Sequence, residues 1–240
     1  MRKQTRKSAQ PTGGEHPVEH GAYVLALVVV AAAPLVAGKF DFPPQAALYL
    51  LIALAAVATA LGRRSARGSA FGAPVLLLWL LAAWTAVSWI GSVYRHATEL
   101  ELAKLVVLAA WAGLAARFCS DARRCEGWLI ALCAGGGTAA WIGIAQYAAT
   151  PDRNWRTFST FYNPNELATC LVMAAFCAAG LAFGSDHRPI RLFALTSGIS
   201  CLGCLLLTGS RGGGVAFIAG ALVLGVQMGP HMWRSLTRGA

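Results

Sequence analysis

"LLLTGSRGGGVAF", residues 205–217, sets one arginine, Arg211, between two apolar runs and follows it with three glycines. The left-hand run closes an apolar segment that begins near residue 190, and the right-hand run continues to about residue 229. A bilayer core asks roughly 20 apolar residues of a spanning helix. The polar turn therefore reads as a hairpin between two transmembrane helices. The same pattern recurs along the chain. Of its 240 residues, 57% are hydrophobic and only 12% charged, about half the charge of an ordinary soluble domain. A soluble helical core would need a polar stripe along each helix, and most of these segments carry none. The sequence predicts an all-α, polytopic integral membrane protein with about eight transmembrane helices. They are expected at 22–38, 45–61, 71–92, 99–116, 127–149, 164–184, 190–208 and 212–229.

Charge placement predicts the orientation. With the N-terminus in the cytoplasm, fourteen basic residues fall on cytoplasmic segments: Arg2, Lys3, Arg6, Lys7, Arg63, Arg64, Arg67, Arg117, Arg123, Arg124, Arg188, Arg191, Arg234 and Arg238. Five fall outside: Lys39, Arg95, Arg153, Arg156 and Arg211. Lys104 sits within a span. An excess of Lys and Arg on cytoplasmic loops is how such proteins set their topology. Both termini are thus expected in the cytoplasm. The net charge of +10 becomes a topology signal, and a nucleic-acid partner is not called for. Residues 1–20 read as a disordered basic cytoplasmic tail, 21–233 as the transmembrane domain and 234–240 as a cytoplasmic end. The start lacks the pattern of a cleavable signal peptide, so the first span is expected to be retained. Trp79, Trp128, Trp155 and Trp233 lie at or near span ends or in short loops, as candidates for interface anchors.

The seven cysteines imply no disulfide framework, since all lie in the membrane or on the cytoplasmic side of this topology. Cys201 and Cys204 form a C-x-x-C inside an apolar helix with no second ligand pair, and are expected to pack helices. No metal site is expected. Neither a phosphate-binding P-loop, a dinucleotide-binding glycine fingerprint nor a metalloprotease H-E-x-x-H occurs. "GGG" at 135–137 lies in a span without a lysine, so helix packing explains it. Glu101 and Lys104 are spaced to pair on one helix face.

Two outer loops carry the candidate chemistry: "TPDRNWRTFSTFYN", 150–163, and the "TGSRGGG" turn, 208–214. In "FYNPNELA", 161–168, Asn163 is a helix cap, Pro164 suits the first helical position, and Glu166 stands three residues after the cap. A well-capped helix start would explain the stretch by itself. Asn163, Asn165 and Glu166 would also offer hydrogen-bonding groups to a polar ligand, with Arg153 and Arg156 just upstream. Ser210 is a cap for the last span, and Arg211 falls in its first turn. A cation there opposes the helix dipole by roughly 0.3–1 kcal/mol. Near the membrane it costs up to about 3 kcal/mol if deep. An anion would relieve both conflicts, because helix-start N–H groups bind anions and a guanidinium grips phosphate as a fork. Gly212, Gly213 and Gly214 would let a ligand or another helix approach the backbone. The plainer alternative is an interfacial arginine reaching for water above packing glycines.

"TFYNPNELATCLVMAA", 160–175, followed by "LLLTGSRGGGVAFIAG", 205–220, resembles the core of the O-antigen ligase and polymerase superfamily of bacterial inner membranes. The resemblance covers about residues 157–220. It implies transfer of a glycan from undecaprenyl diphosphate to an acceptor hydroxyl at the periplasmic face. The acceptor would be lipid A–core, a growing glycan or a protein, and no cofactor is needed. Arg211 would hold the diphosphate and stabilise charge as it leaves. Asn163, Asn165, Glu166 and Ser210 would border the donor, and Arg153 and Arg156 would steer it.

The pattern of that superfamily continues with a large periplasmic loop, which carries a further arginine and an acceptor-activating histidine. Among the five histidines here, His96 is the one outside in this topology and does not correspond; His16, His20, His187 and His231 lie inside. The chain is therefore expected to be such a transferase or its donor-binding N-terminal half. The rival expectation is a non-catalytic membrane transporter or lipid-handling protein, since bicarbonate transport has been proposed within the same superfamily. An anion path would want charges deep in several spans, whereas nearly all charges here sit at span ends.

Overall fold

The computed structural model describes residues 17–36, 42–61, 72–150, 152 and 154–238. Most of the expected basic tail lies outside the described residues, as do Lys39, Arg63, Arg64, Arg67 and Arg153. The described elements are helices: α1 (Pro17–Val36), α2 (Phe42–Leu61), α3 (Ala73–Ser88) with a 3-10 turn at Trp89–Gly91, α4 (Arg95–Phe118), α5 (Ala122–Ala149), α6 (Pro164–Gly184), α7 (Arg188–Leu207) and α8 (Arg211–Arg238). No strand occurs among the described residues.

Each expected span coincides with one helix. Five are long and apolar enough to cross a membrane: Pro17–Val36, Ala73–Gly91, Ala122–Ala149, Pro164–Gly184 and Arg188–Leu207. Ala46–Ala60 and Arg211–Val226 are apolar but shorter. The early turns of α4 hold Arg95, His96, Glu99, Glu101 and Lys104, so its N-terminal part is polar. Glu101 does accept from Lys104, at 2.7 Å. Two boundaries differ from expectation for local reasons. Helix α5 starts at Ala122 because Asp121 caps it, accepting from the Arg124 N–H at 3.0 Å. Helix α8 runs on to Arg238, so residues 234–238 continue the helix backbone.

The chain divides into two compact units, residues 1–26 with 51–116 and residues 27–50 with 117–240. In the first, Val75 of α3 lies against Gly113 of α4. The turn between these helices is tied by Trp89 Nε1 donating to Glu99 at 3.0 Å and by the Arg95 guanidinium over the Trp89 ring.

The second unit is organised by α5. Its three consecutive glycines point in three directions, because successive residues turn about 100° around a helix. A Cβ on Gly135 would strike the Ala31 carbonyl of α1, one on Gly136 the Ala174 methyl of α6, and one on Gly137 the Ser197 hydroxyl of α7. Each glycine thus admits a different helix. Apolar lipid gives helices little hydrophobic reason to associate, so such close approach supplies the packing. The core around it is small-residue rich: Ala139, Ala140, Ala168, Ala174, Cys201 and Cys204, with Leu167 and Leu171. Cys201 and Cys204 are fully buried in this packing. Ser197 donates to the Cys133 carbonyl at 2.8 Å, bonding α7 to α5. Trp128 is buried against Phe118, their rings 6.2 Å apart, and serves the core rather than an interface.

A candidate anion site where two helices begin

At one end of the second unit, α5 and α7 finish while α6 and α8 begin, and the loop 154–163 is folded into the gap between them. Its hydroxyls satisfy carbonyls on the surrounding helices. Thr157 Oγ1 donates to Gly143 O at 3.0 Å, Ser159 Oγ to Ala139 O at 2.6 Å, and Thr160 Oγ1 to Pro34 O at 2.6 Å. The Thr157 N–H reaches the Leu207 carbonyl at 3.3 Å. Gly143 makes this possible, since a Cβ there would meet Cys204, Thr157 and Ser159 together. Ser159 takes a left-handed φ of 53°, a conformation that costs a non-glycine residue of order 1 kcal/mol. It is held by its hydroxyl bond and by Gln146 Nε2, which donates to its carbonyl at 3.1 Å. The other side-chain atom of this amide, Gln146 Oε1, is buried without a partner among the described residues.

Arg156 ties the end of α7 to the start of α6. Its Nε donates to the Thr208 carbonyl at 2.6 Å and its Nη2 to Asn165 Oδ1 at 3.2 Å. Thr208 ends α7 and Asn165 stands in the first turn of α6. Gly209 turns between α7 and α8 with φ of 58°, and a Cβ there would press on the Arg156 side chain at 3.3 Å. Glycine is needed twice at this position, for its backbone angle and for the approach of the arginine.

The two helix starts differ in what they leave open. At α6, Asn163 Oδ1 accepts from Asn165 N at 2.8 Å, the Asn163 carbonyl accepts from Glu166 N at 3.1 Å, and Pro164 has no N–H. The cap expected at Asn163 is present and uses its side-chain oxygen. The Glu166 carboxylate is exposed and has no partner among the described residues. At α8, Ser210 Oγ accepts from Gly213 N at 3.2 Å and the Ser210 carbonyl from Gly214 N at 3.0 Å. The N–H groups of Arg211 and Gly212 have no partner among the described residues, and neither has the exposed Arg211 guanidinium. Gly212 and Gly214 have open space where a Cβ would stand, whereas Gly213 lies against Ala168 of α6. Further along, Phe176 stacks on Phe217 at 5.5 Å and fills the space over Gly220.

The structure thus brings Arg156, Asn165, Ser210 and Arg211 to one end of the unit, together with Asn163 and Glu166. Arg153 lies outside the described residues. Asn163 is occupied as a cap and Arg156 as a brace, while Arg211 stays open. Arg156 is a sequence-derived candidate in another role, whereas the buried Thr157 and Ser159 hydroxyls and Gln146 have no counterpart among those candidates. The arrangement offers two helix-start N–H groups beside a free guanidinium, donors that suit phosphate oxygens. No family model, no curated protein and no solved structure matches the chain.

Proposed function

We propose that the chain is an inner-membrane glycan transferase, or its donor-binding N-terminal half. It would move a glycan from undecaprenyl diphosphate to an acceptor hydroxyl on lipid A–core, a glycan or a protein. The observation that carries this is the start of α8: an exposed guanidinium and two N–H groups, unpartnered among the described residues, over glycines that keep the approach clear. The T-G-S-R-G turn and the "FYNPNEL" start, on which the resemblance rests, meet there through Arg156.

In this mechanism Arg211 holds the diphosphate oxygens in a bidentate grip. As the glycosidic bond to the diphosphate breaks, negative charge grows on the leaving oxygens and the fixed guanidinium stabilises it. Ser210 holds the helix start in shape, and Arg156 fixes the turn in front of it. Asn165 and Glu166 border the sugar side of the donor. The topology that goes with this has eight spans, both termini in the cytoplasm and the site at the periplasmic face. The basic residues support it by their distribution, fourteen against five.

The test is Arg211→Ala in the chain expressed with whatever completes the enzyme in its cell. Glycan attachment is expected to vanish while the amount of protein in the membrane stays normal. Unchanged attachment would overturn the proposal. Anion flux through reconstituted vesicles without glycan turnover would favour the transport alternative instead.

A further inference from the structure

A cleft of about 550 Å³ opens at the opposite end of the second unit, between the α4–α5 turn, the first turns of α5 and the end of α6. Its lining includes the charged side chains of Arg123, Glu126 and Asp186, with His187 beside them. Arg123 and Asp186 are exposed and have no partner among the described residues. Glu126 accepts from the Ser185 hydroxyl at 2.7 Å. Its apolar lining comes from Leu129 of α5 and a strip of α6. Gly180 and Gly184 stand one turn apart on that strip, and a Cβ on either would meet nothing within 4 Å. Cys119 also lines the cleft. Partial burial, with the Cys125 thiol adding to it, raises its pKa to about 11.

A bare anion would meet two carboxylates here, and a bare cation would meet Arg123. A zwitterion satisfies both signs. A membrane supplies zwitterions attached to hydrocarbon, and the notch at Gly180 and Gly184 gives hydrocarbon a place to lie. We infer that the cleft holds the headgroup of a phospholipid bearing a primary ammonium, phosphate toward Arg123 and ammonium toward Asp186 and Glu126, with an acyl chain along the glycine notch. This goes beyond the transferase reading and does not depend on it. An ammonium with N–H groups can donate to these carboxylates, whereas a trimethylated headgroup cannot.

The experiment is native mass spectrometry of the full chain purified in detergent with equal amounts of phosphatidylethanolamine, phosphatidylcholine and phosphatidylglycerol. The ethanolamine lipid is expected to be retained about fivefold over the choline lipid. Asp186→Asn should bring that ratio close to one, and Arg123→Gln should weaken retention of all three. Gly184→Leu points into open space, so helicity should be unchanged while the ethanolamine lipid is lost. Soluble glycerophosphoethanolamine should still bind this variant, which separates a lipid site from a site for the free headgroup. Equal retention of ethanolamine and choline lipids, or a preference for phosphatidylglycerol, would overturn the assignment. So would an Asp186→Asn chain that keeps the full preference, or a Gly184→Leu chain that keeps the lipid.

Discussion

The chain contains the same tripeptide twice, and the two copies do opposite things. Gly135, Gly136 and Gly137 are buried mid-helix, each against a different neighbouring helix. Of Gly212, Gly213 and Gly214, the middle one meets α6 and the outer two face open space. One run is consumed by packing. The other packs at one glycine only, beside an arginine that is exposed and unpartnered among the described residues. A bare backbone in a helix interior makes room for protein, whereas at a helix start it leaves N–H donors accessible to something else. That contrast is the reason for assigning chemistry to the second run.

Substitutions can break or sharpen the contrast. The largest effect is expected from Arg211→Ala, which should lower glycan transfer by about 10²–10³-fold, the cost of removing one preorganised charge-stabilising donor. Arg211→Lys should recover only part of it, because an ammonium lacks the planar fork; transfer assays on membranes with matched protein levels would show this. Next comes Gly135→Ala. Its Cβ would sit 2.5 Å from the Ala31 carbonyl, and backbone cannot step aside as a flexible side chain can. A loss of about 1–3 kcal/mol is expected, read as a lower unfolding midpoint in detergent. Arg156→Ala removes the bonds to Thr208 and Asn165 and should cost about 1–2 kcal/mol, with a rise in protease cleavage of the 154–163 loop. The smallest effect is expected at Gly212→Ala, within about 1 kcal/mol of the parent and on the stabilising side, since alanine favours helix and meets no neighbour. If Gly212→Ala proved as damaging as Gly135→Ala, the distinction between the two runs would fail.

Much of the fold was legible because helix length, apolar composition and helix caps are written locally. The hydropathy pattern located the helices, Asn163 and Ser210 read as caps from their neighbours, and the mid-span glycines read as packing from their surroundings. The polar first half of α4 was harder, because its Glu and Lys residues make the apolar window begin late. The site was legible at Arg211, which stands against two local preferences. At Arg156, which read as a steering cation, the bracing role was not legible, because its partner Thr208 is 52 residues away. Nor was the site legible at Thr157, Ser159 and Thr160, whose hydroxyls bond carbonyls on other helices. Such contacts depend on tertiary placement and leave no spacing to read. Trp128 misled for the same reason, since an aromatic residue near a span end serves a core as readily as an interface.

The most direct test uses Gly212→Cys, which keeps Arg211 and places a thiol in open space at the α8 start, with Cys119 replaced by serine. Its rate of labelling by a membrane-impermeant maleimide would be measured in cells with a permeabilised outer membrane and an intact inner membrane, with and without undecaprenyl diphosphate. The account predicts labelling from the periplasmic side, slowed by the lipid diphosphate. Labelling only after the inner membrane is opened, or a rate indifferent to the lipid, would contradict it.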